Sequence, residues 1–169
     1  MVYLTTPFSE EDIAQLKVGD VVSISGYIYC GRDAVLPRIC KELEEGAWDK
    51  RWIDLKGGVI FHTAVSPAGV GPTSSNKLEI EGSFETLSKL GGIKMHLGKG
   101  AIKPETVKML AEENAVFAII PPVTALLESQ TLERECVVWP ELGMEALYRI
   151  KVENYQAIIA ATKGESIYG

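Results

Sequence analysis

Three cations, Arg32, Lys77 and Lys99, share a sequence setting that suits the binding of an anion. Each follows a predicted strand or the loop after it, and each has glycine nearby. In open α/β sheets, ligands bind beyond the carboxyl ends of strands, where loops and helix N-termini converge. Glycine lets the backbone approach a ligand closely, and several cations suit a small dianion such as a dicarboxylate. The same residues could instead be solvated loop residues, and the pattern alone leaves both interpretations open.

The segment VGPTSSNKLE, residues 70–79, raises a related question, because a Gly-Pro pair precedes three consecutive hydroxyl side chains and then Lys77. Clusters of Gly, Pro, Ser and Asn usually mark turns. A surface loop is therefore the simplest interpretation, and a loop that contributes side chains to a site is the other.

Composition limits the class of protein. The 169 residues, 46% hydrophobic and 24% charged, are typical of one folded globular domain. The net charge of −6 argues against a general nucleic-acid binder, because neutralising phosphates requires a basic face. No apolar run reaches the ~18 residues of a membrane span, and the N-terminus lacks a basic-then-apolar signal. We therefore expect one domain over residues 1–169, located in the cytoplasm.

The three cysteines, Cys30, Cys40 and Cys136, are odd in number and widely spaced, so a disulfide framework is not expected. They also lack the close spacing of zinc or iron–sulfur ligands. We expect them to be buried as small hydrophobic residues. No metal site is predicted in this chain, and a metal cluster, if one is needed, would be held by another chain.

Alternating strand and helix patterns predict an α/β domain with a mixed central sheet and flanking helices. Ser9 is expected to cap a short helix that precedes a half-buried strand at 21–30. Asp33 is expected to cap a helix that ends at Gly46, and Ser83 a helix that ends at the glycine pair 91–92. Further strands are expected within 57–65, 93–100, 115–122, 135–140, 146–152 and 156–164, and further helices within 103–114 and 124–135.

Four motifs occur in order along the chain: TPFSEEDIAQLKVGDVVSISGYIYCGRDA, VGPTSS, GKG and LGMEALYRIKV. Together they resemble the beta subunit, or C-terminal domain, of the class I fumarase and L-tartrate dehydratase iron–sulfur hydro-lyases, over nearly the whole chain. The resemblance implies a swivelling β/β/α domain that closes on a partner. It implies an alpha subunit that carries a 4Fe-4S cluster on three cysteines. It also implies an alpha–beta heterodimer, or its two-fold dimer, that acts on a small dicarboxylate.

The resemblance also implies roles for individual residues. Arg32 and Lys99 match positions whose side chains contact substrate carboxylates, and Lys77 stands where the family usually has an arginine. Thr73 matches a threonine beside the substrate carbon that exchanges a proton. The chain is then expected to serve a hydro-lyase that interconverts fumarate and malate, or a related diacid pair. In this enzyme Thr73 would transfer the proton, and Lys77 and Lys99 would stabilise the alkoxide form of Thr73.

Several positions leave alternatives open. The family usually has a histidine where this chain has Leu36. The lysine at position 77 cannot form the planar bidentate contact with a carboxylate that arginine forms. His62 is either a functional substitute for that histidine or a plain core histidine at a strand end. Glu145 is either a buried acid with a raised pKa or a partner of a nearby cation. The competing function is a non-catalytic anion-binding or assembly module on the same fold.

Overall fold

The computed structural model describes residues 1–31, 34–48, 51, 53–63, 65–66, 69–70, 77–98, 102–120 and 131–167, with backbone alone at 65–66, 69–70, 77–82 and 144–145. The helices are α1 (Glu10–Ala14), α2 (Leu36–Glu45), α3 (Lys77–Lys89), α4 (Pro104–Glu112) and a 3₁₀ helix (Pro140–Glu145). None of the helices within these ranges has the length and apolar content needed to cross a bilayer. The strands are β1 (Val2–Thr5), β2 (Val21–Cys30), β3 (Val59–Phe61), β4 (Val65–Ser66), β5 (Gly69–Val70), β6 (Met95–Gly98), β7 (Val116–Ile119), β8 (Thr131–Val138), β9 (Leu147–Thr162) and β10 (Glu165–Ser166).

Eight strands in the described part of the chain form one mixed sheet. Strands β1, β2, β3, β6 and β7 run parallel to their neighbours in that order. Strand β9 is antiparallel to both β7 and β2, so that β2, β3, β6, β7 and β9 close into a ring. Strands β8 and β10 extend the sheet by antiparallel pairing with β9. The predicted α/β class with a mixed sheet is confirmed.

Side-chain alternation separates the interior of the ring from its outer face. Val59 and Phe61 of β3 belong to the interior apolar cluster, whereas Ile60 between them packs with residues of α2 and α3. Strands β6 and β7 repeat this alternation, and Phe117 of β7 joins an outer cluster with residues of α3 and α4. The parallel strands are therefore covered by helices on the outside and by one another on the inside.

Two local predictions are confirmed at helix ends. The hydroxyl of Ser9 accepts a hydrogen bond from the backbone N–H of Asp12 at 3.1 Å, and the carboxylate of Asp12 accepts one from the N–H of Ser9 at 2.9 Å. This capping box satisfies donors that would otherwise lack partners at the start of α1. Helix α2 ends at Gly46, whose φ of 76° lies in the left-handed region where glycine has no steric penalty.

The prediction that Ser83 caps a helix is wrong. Helix α3 begins at Lys77, so Ser83 lies in its interior and is buried. Further along this helix, the apolar residues Phe84 and Leu87 are fully buried against the outer face of the ring. Packing of the apolar residues therefore outweighs the local preference of serine for a helix start.

The helix predicted for 124–135 is wrong where it can be compared. Residues 131–135 belong to β8, in register with β9, while 124–130 fall outside the described ranges. Residues 132–136 of β8 are exposed, so their polar composition resembles that of a solvent-facing helix.

The predicted start of α2 cannot be compared directly, because Asp33 also falls outside the described ranges. The residue that precedes α2 is Val35, which makes no side-chain capping bond. Strand β1, of only four residues, was not expected.

Replacing Phe61 by alanine tests the interior of the ring. Phe61 is fully buried at the end of β3, so Phe61→Ala should lower the free energy of unfolding by about 3–5 kcal/mol. Urea denaturation followed by tryptophan fluorescence measures the change. The control is Leu90→Ala, since Leu90 is 52% exposed and its truncation should change stability by less than about 0.5 kcal/mol. Equal losses in the two variants would contradict the interior position of Phe61.

Candidate functional site

The carboxyl ends of β2, β3 and β6 lie side by side at one edge of the sheet. The registers place Cys30 opposite Phe61, and Phe61 opposite Leu97. Backbone hydrogen bonds continue past the strands, because the N–H of Gly31 donates to the carbonyl of Phe61 at 3.1 Å. The N–H of His62 donates to the carbonyl of Leu97 at 3.0 Å. The residues that leave the three strands therefore start from neighbouring positions.

Three predicted site residues, Arg32, Thr73 and Lys99, lie outside the residues that the structure describes. The strands that lead to two of them are described. Gly31 directly precedes Arg32, and Gly98, the last residue of β6, directly precedes Lys99. Because β2 and β6 flank β3 and end in register, the residues that directly precede both cations lie at the same edge of the sheet.

Lys77 is the first residue of α3, a helix of 13 residues, although its side chain is not described. The first turn of a helix carries backbone N–H groups without intrahelical partners and the positive end of the helix dipole. A cation at this position gives a local positive potential on a chain whose net charge is −6. Such a combination favours an anionic ligand.

A buried polar cluster joins three of the elements that border this edge. His62, directly after β3, lies with its Nε2 atom 3.2 Å from Nδ1 of His96 in β6. Nε2 of His96 lies 2.9 Å from the hydroxyl of Ser88 in α3. The ring of Phe84 stacks on that of His96, with centroids 4.1 Å apart and planes 16° apart. Both histidines are fully buried, so His62 occupies a core position at the end of a strand, and both interpretations of its role stay open.

The hydrogen bonds of this cluster link the tautomers of the two histidines. Within the described part of the chain, His96 Nε2 is the partner of the Ser88 hydroxyl, and His62 Nδ1 has none. If Ser88 donates, His96 donates from Nδ1 to Nε2 of His62, and His62 carries its proton on Nδ1. If His96 donates to Ser88, His62 donates from Nε2 to His96, and its Nδ1 carries a lone pair. Each arrangement makes two hydrogen bonds, so the group that meets Nδ1 of His62 decides between them.

Both histidines are held in the neutral form. Burial lowers the pKa of His62 to about 3. Burial, and secondarily the neighbouring His62 ring, lower the pKa of His96 well below its ordinary 6.5. A neutral imidazole can donate from one nitrogen and accept at the other, so the pair supplies directional hydrogen bonding without charge.

The sequence reasoning singled out His62 but not His96 or Ser88. A usable signal existed for His96, since it stands between the interior residues Met95 and Leu97 of β6 and therefore faces the helices. No comparable signal identifies Ser88, because its contact with His96 is made by the packing of α3.

Two other positions have clear locations. Leu36 is 2% exposed in the first turn of α2 and belongs to the apolar cluster beneath the helices. It therefore acts in this chain as a core residue. Glu145 is the last residue of the 3₁₀ helix, and its side chain is not described, so both interpretations of Glu145 stay open.

The residues described here do not fit an iron–sulfur cluster. Cys30 is buried in the ring interior, Cys40 lies half-buried on α2, and Cys136 is exposed on β8. Burial raises the pKa of Cys30 and raises that of Cys40 to about 11, whereas metal ligation requires thiolates. No group of three His, Cys, Asp or Glu side chains comes together as metal ligands within the described ranges.

The α/β domain with aligned strand ends belongs to a known family. The family described as Fumarase C-terminus matches residues 1–169, and this chain is a member of it. The resemblance read from the four ordered motifs is thereby confirmed.

Named relatives cover most of the chain. It is 34% identical over 172 residues to the L(+)-tartrate dehydratase subunit beta of Escherichia coli, covering 94% of this chain and 81% of the relative. It is 31% identical over 183 residues to a protein of Methanocaldococcus jannaschii provisionally named as L(+)-tartrate dehydratase subunit beta, covering 99% and 91%. It is 30% identical to a protein of Geobacillus stearothermophilus provisionally named as fumarate hydratase class I, covering 99% of this chain and 34% of the relative.

The depressed pKa of His62 predicts how stability depends on pH. The unfolded histidine takes up a proton below pH 6.5, while the folded one resists protonation down to a pKa of about 3. The free energy of unfolding should therefore be highest above pH 6.5 and fall as the pH drops towards 3. For His62 alone the loss should reach about 2 kcal/mol at pH 5. Urea midpoints between pH 7.5 and 5 measure it.

The variant His62→Gln is the control, because it should reduce this pH dependence. The two carboxylates with lowered pKa values contribute mainly below this pH range. Hydrogen bonds from Lys94 and Arg51 lower the pKa values of Glu10 and Glu42 respectively from 4.5, so the stability that they add is lost mostly below pH 4.5. A wild-type stability that stays flat from pH 7.5 to 5 would contradict the neutral buried state.

Proposed function

We propose that this chain is the beta subunit of a hydro-lyase that interconverts fumarate and malate, or dehydrates a related 2-hydroxy dicarboxylic acid such as tartrate. The observation that carries the proposal is the register of β2, β3 and β6, which brings Gly31 and Gly98, the residues directly before Arg32 and Lys99, to one edge of the sheet. The names of the relatives, tartrate dehydratase and fumarate hydratase, support the reaction class.

In this proposal the cations bind the two carboxylates of the substrate. Arg32 grips one carboxylate with its planar guanidinium, and Lys99 contacts the other. Lys77 adds a third positive charge at the N-terminus of α3. Binding a dianion by converging cations fixes the diacid in one orientation, and it places the carbon that exchanges a proton next to Thr73.

Dehydration removes hydroxide from one carbon and a proton from the next. The C–H proton is weakly acidic, so its removal needs a well-placed base. A threonine hydroxyl is a poor base unless nearby cations stabilise its alkoxide or a neighbour relays its proton. We propose that Thr73 takes this proton, that Lys77 and Lys99 lower the cost of the alkoxide, and that an acidic residue of the partner accepts the proton onward.

The proposal assigns a 4Fe-4S cluster to an alpha subunit, where it would supply the Lewis acid for the departing hydroxide. The separate environments and raised pKa values of the cysteines in this chain support that division, and the relatives are themselves named as beta subunits. We propose an alpha–beta heterodimer, or its two-fold dimer, in which this domain closes over the partner by a swivelling motion. The cysteines described are free, which suits the reducing cytoplasm.

A second candidate is a non-catalytic anion-binding or assembly module. The burial of Leu36 in the apolar cluster favours it, because the family usually has a histidine at this position. Turnover by the assembled complex separates the two candidates.

Co-expression with the cognate alpha subunit tests the proposal. The complex should elute as one species in size-exclusion chromatography and turn over fumarate or tartrate, whereas the beta chain alone should be colourless and inactive. Separate elution at micromolar concentration, or an intact complex without turnover of any diacid, would reject the hydro-lyase proposal. A stoichiometric cluster in the isolated beta chain would reject the division between subunits.

Variants of Thr73 and Arg32 separate chemistry from binding. Thr73→Ala should lower kcat by ~10²-fold or more while substrate binding persists, because it removes the proton-transfer group and keeps the cations. Thr73→Ser, the matched control, should retain much of the rate, since the hydroxyl is kept. Arg32→Ala should mainly raise KM through loss of a charged carboxylate contact. Steady-state kinetics of the assembled complex provide both constants, and wild-type turnover by Thr73→Ala would remove Thr73 from the mechanism.

A further inference from the structure

His62 carries a buried ring nitrogen without a hydrogen-bond partner among the described residues, at the edge where the strands that lead to the proposed site end. It follows β3 directly, and its backbone N–H bonds to Leu97 of β6 in the strand that leads to Lys99. On the other side, Gly31 bonds to Phe61 in the strand that leads to Arg32. His62 therefore stands between the strand ends that lead to the two cations.

Nδ1 is the nitrogen of His62 that the rest of the cluster leaves open. Nε2 of His62 is paired with Nδ1 of His96, and Nε2 of His96 is paired with the hydroxyl of Ser88 on α3. Phe84 contacts both rings, with its centroid 4.9 Å from that of His62, and limits their rotation. The Nδ1 atom is fully buried, and no partner lies within hydrogen-bonding distance among the described residues. A buried polar group without a partner requires a functional or structural explanation.

We propose that the Nδ1–H of His62 donates a hydrogen bond to a carboxylate oxygen of the bound diacid. This inference rests on the proposed function and adds a substrate-binding residue to it. A neutral donor complements the cations, because it recognises an oxygen by direction and adds no charge. A carboxylate oxygen only accepts, so it selects the tautomer with the proton on Nδ1. Ser88 and His96 then act as positioning residues, because their hydrogen bonds hold Nε2 of His62.

Two variants of His62 isolate this donor. In asparagine the amide nitrogen is bonded to Cγ, as Nδ1 is in histidine, so His62→Asn keeps a donor at the Nδ1 position. In glutamine the amide lies one bond further out, so His62→Gln keeps a polar group near the Nε2 position and loses the donor. Both variants remove the imidazole from beneath Phe84. His62→Gln keeps a polar group near His96 and His62→Asn does not, so a disturbed cluster would weaken binding more in His62→Asn. Weaker binding in His62→Gln than in His62→Asn therefore reports on the Nδ1 donor.

The measurement is the Kd of succinate, an unreactive diacid, for the alpha–beta complex by titration calorimetry. His62→Gln should weaken binding by about tenfold or more, the usual scale for a hydrogen bond to a charged group, and His62→Asn by less than about threefold. Where the complex turns over, KM should rise in His62→Gln with little change in kcat. Glu85→Gln, on the exposed face of α3, should leave Kd and KM unchanged.

The wild-type complex provides a test that requires no variant to fold. With ¹⁵N-labelled histidine, NMR should show His62 protonated on Nδ1, and this signal should shift when succinate is added. A proton on Nε2, no response to succinate, or equal Kd values in wild type and His62→Gln would overturn the inference. A complex that binds succinate through His62 but converts no diacid would reject the proposed function and leave the inference standing. Turnover of a diacid by the complex with an unaltered KM in His62→Gln would reject the inference and leave the proposed function standing.

Discussion

The register between the strands of the ring is the constraint on which the rest of the structure depends. Interior residues such as Phe61 and Leu97 fill the space between strands, and their neighbours Ile60 and His96 face the helices. Because side chains alternate, a slip of one residue would turn His96 into the apolar interior and Leu97 out of it. The same register aligns the strand ends, so the packing of the interior also determines which residues meet at the edge of the sheet.

The elements around the carboxyl ends of β2, β3 and β6 offer two kinds of polar recognition. The N-terminus of α3, with Lys77, provides positive potential on a chain that is acidic overall. The histidine pair provides hydrogen-bonding ring nitrogens that stay neutral because burial disfavours the imidazolium form. Charge attracts an anion over several ångströms, whereas a hydrogen bond requires distance and direction to be correct. Together they suit a ligand with several carboxylate oxygens.

The sequence predicted those parts of the fold that local chemistry determines. The capping box at Ser9, the glycine that ends α2 and the strand at 21–30 depend on residues close in sequence. Closure by β9 could not be predicted, because it requires pairing both with β7 and with β2, which lies more than a hundred residues earlier in the chain. The misassigned Ser83 and residues 131–135 have polar patterns whose local preference was overridden by packing and pairing. The cations were found from adjacent glycines and by resemblance, whereas the Ser88–His96 contact joins elements that only the fold brings together.

Strand β8 has a consequence for the chain before it meets any partner. Within the described residues it pairs with β9 alone, and its exposed middle carries Glu133, Arg134 and Glu135 in succession. An open strand edge is a template on which another copy can add a strand, and this is a common route to aggregation. Consecutive charges oppose such growth, because stacking copies would bring like charges together and bury them. The sequence of β8 thus helps newly made chains to remain dispersed at high concentration.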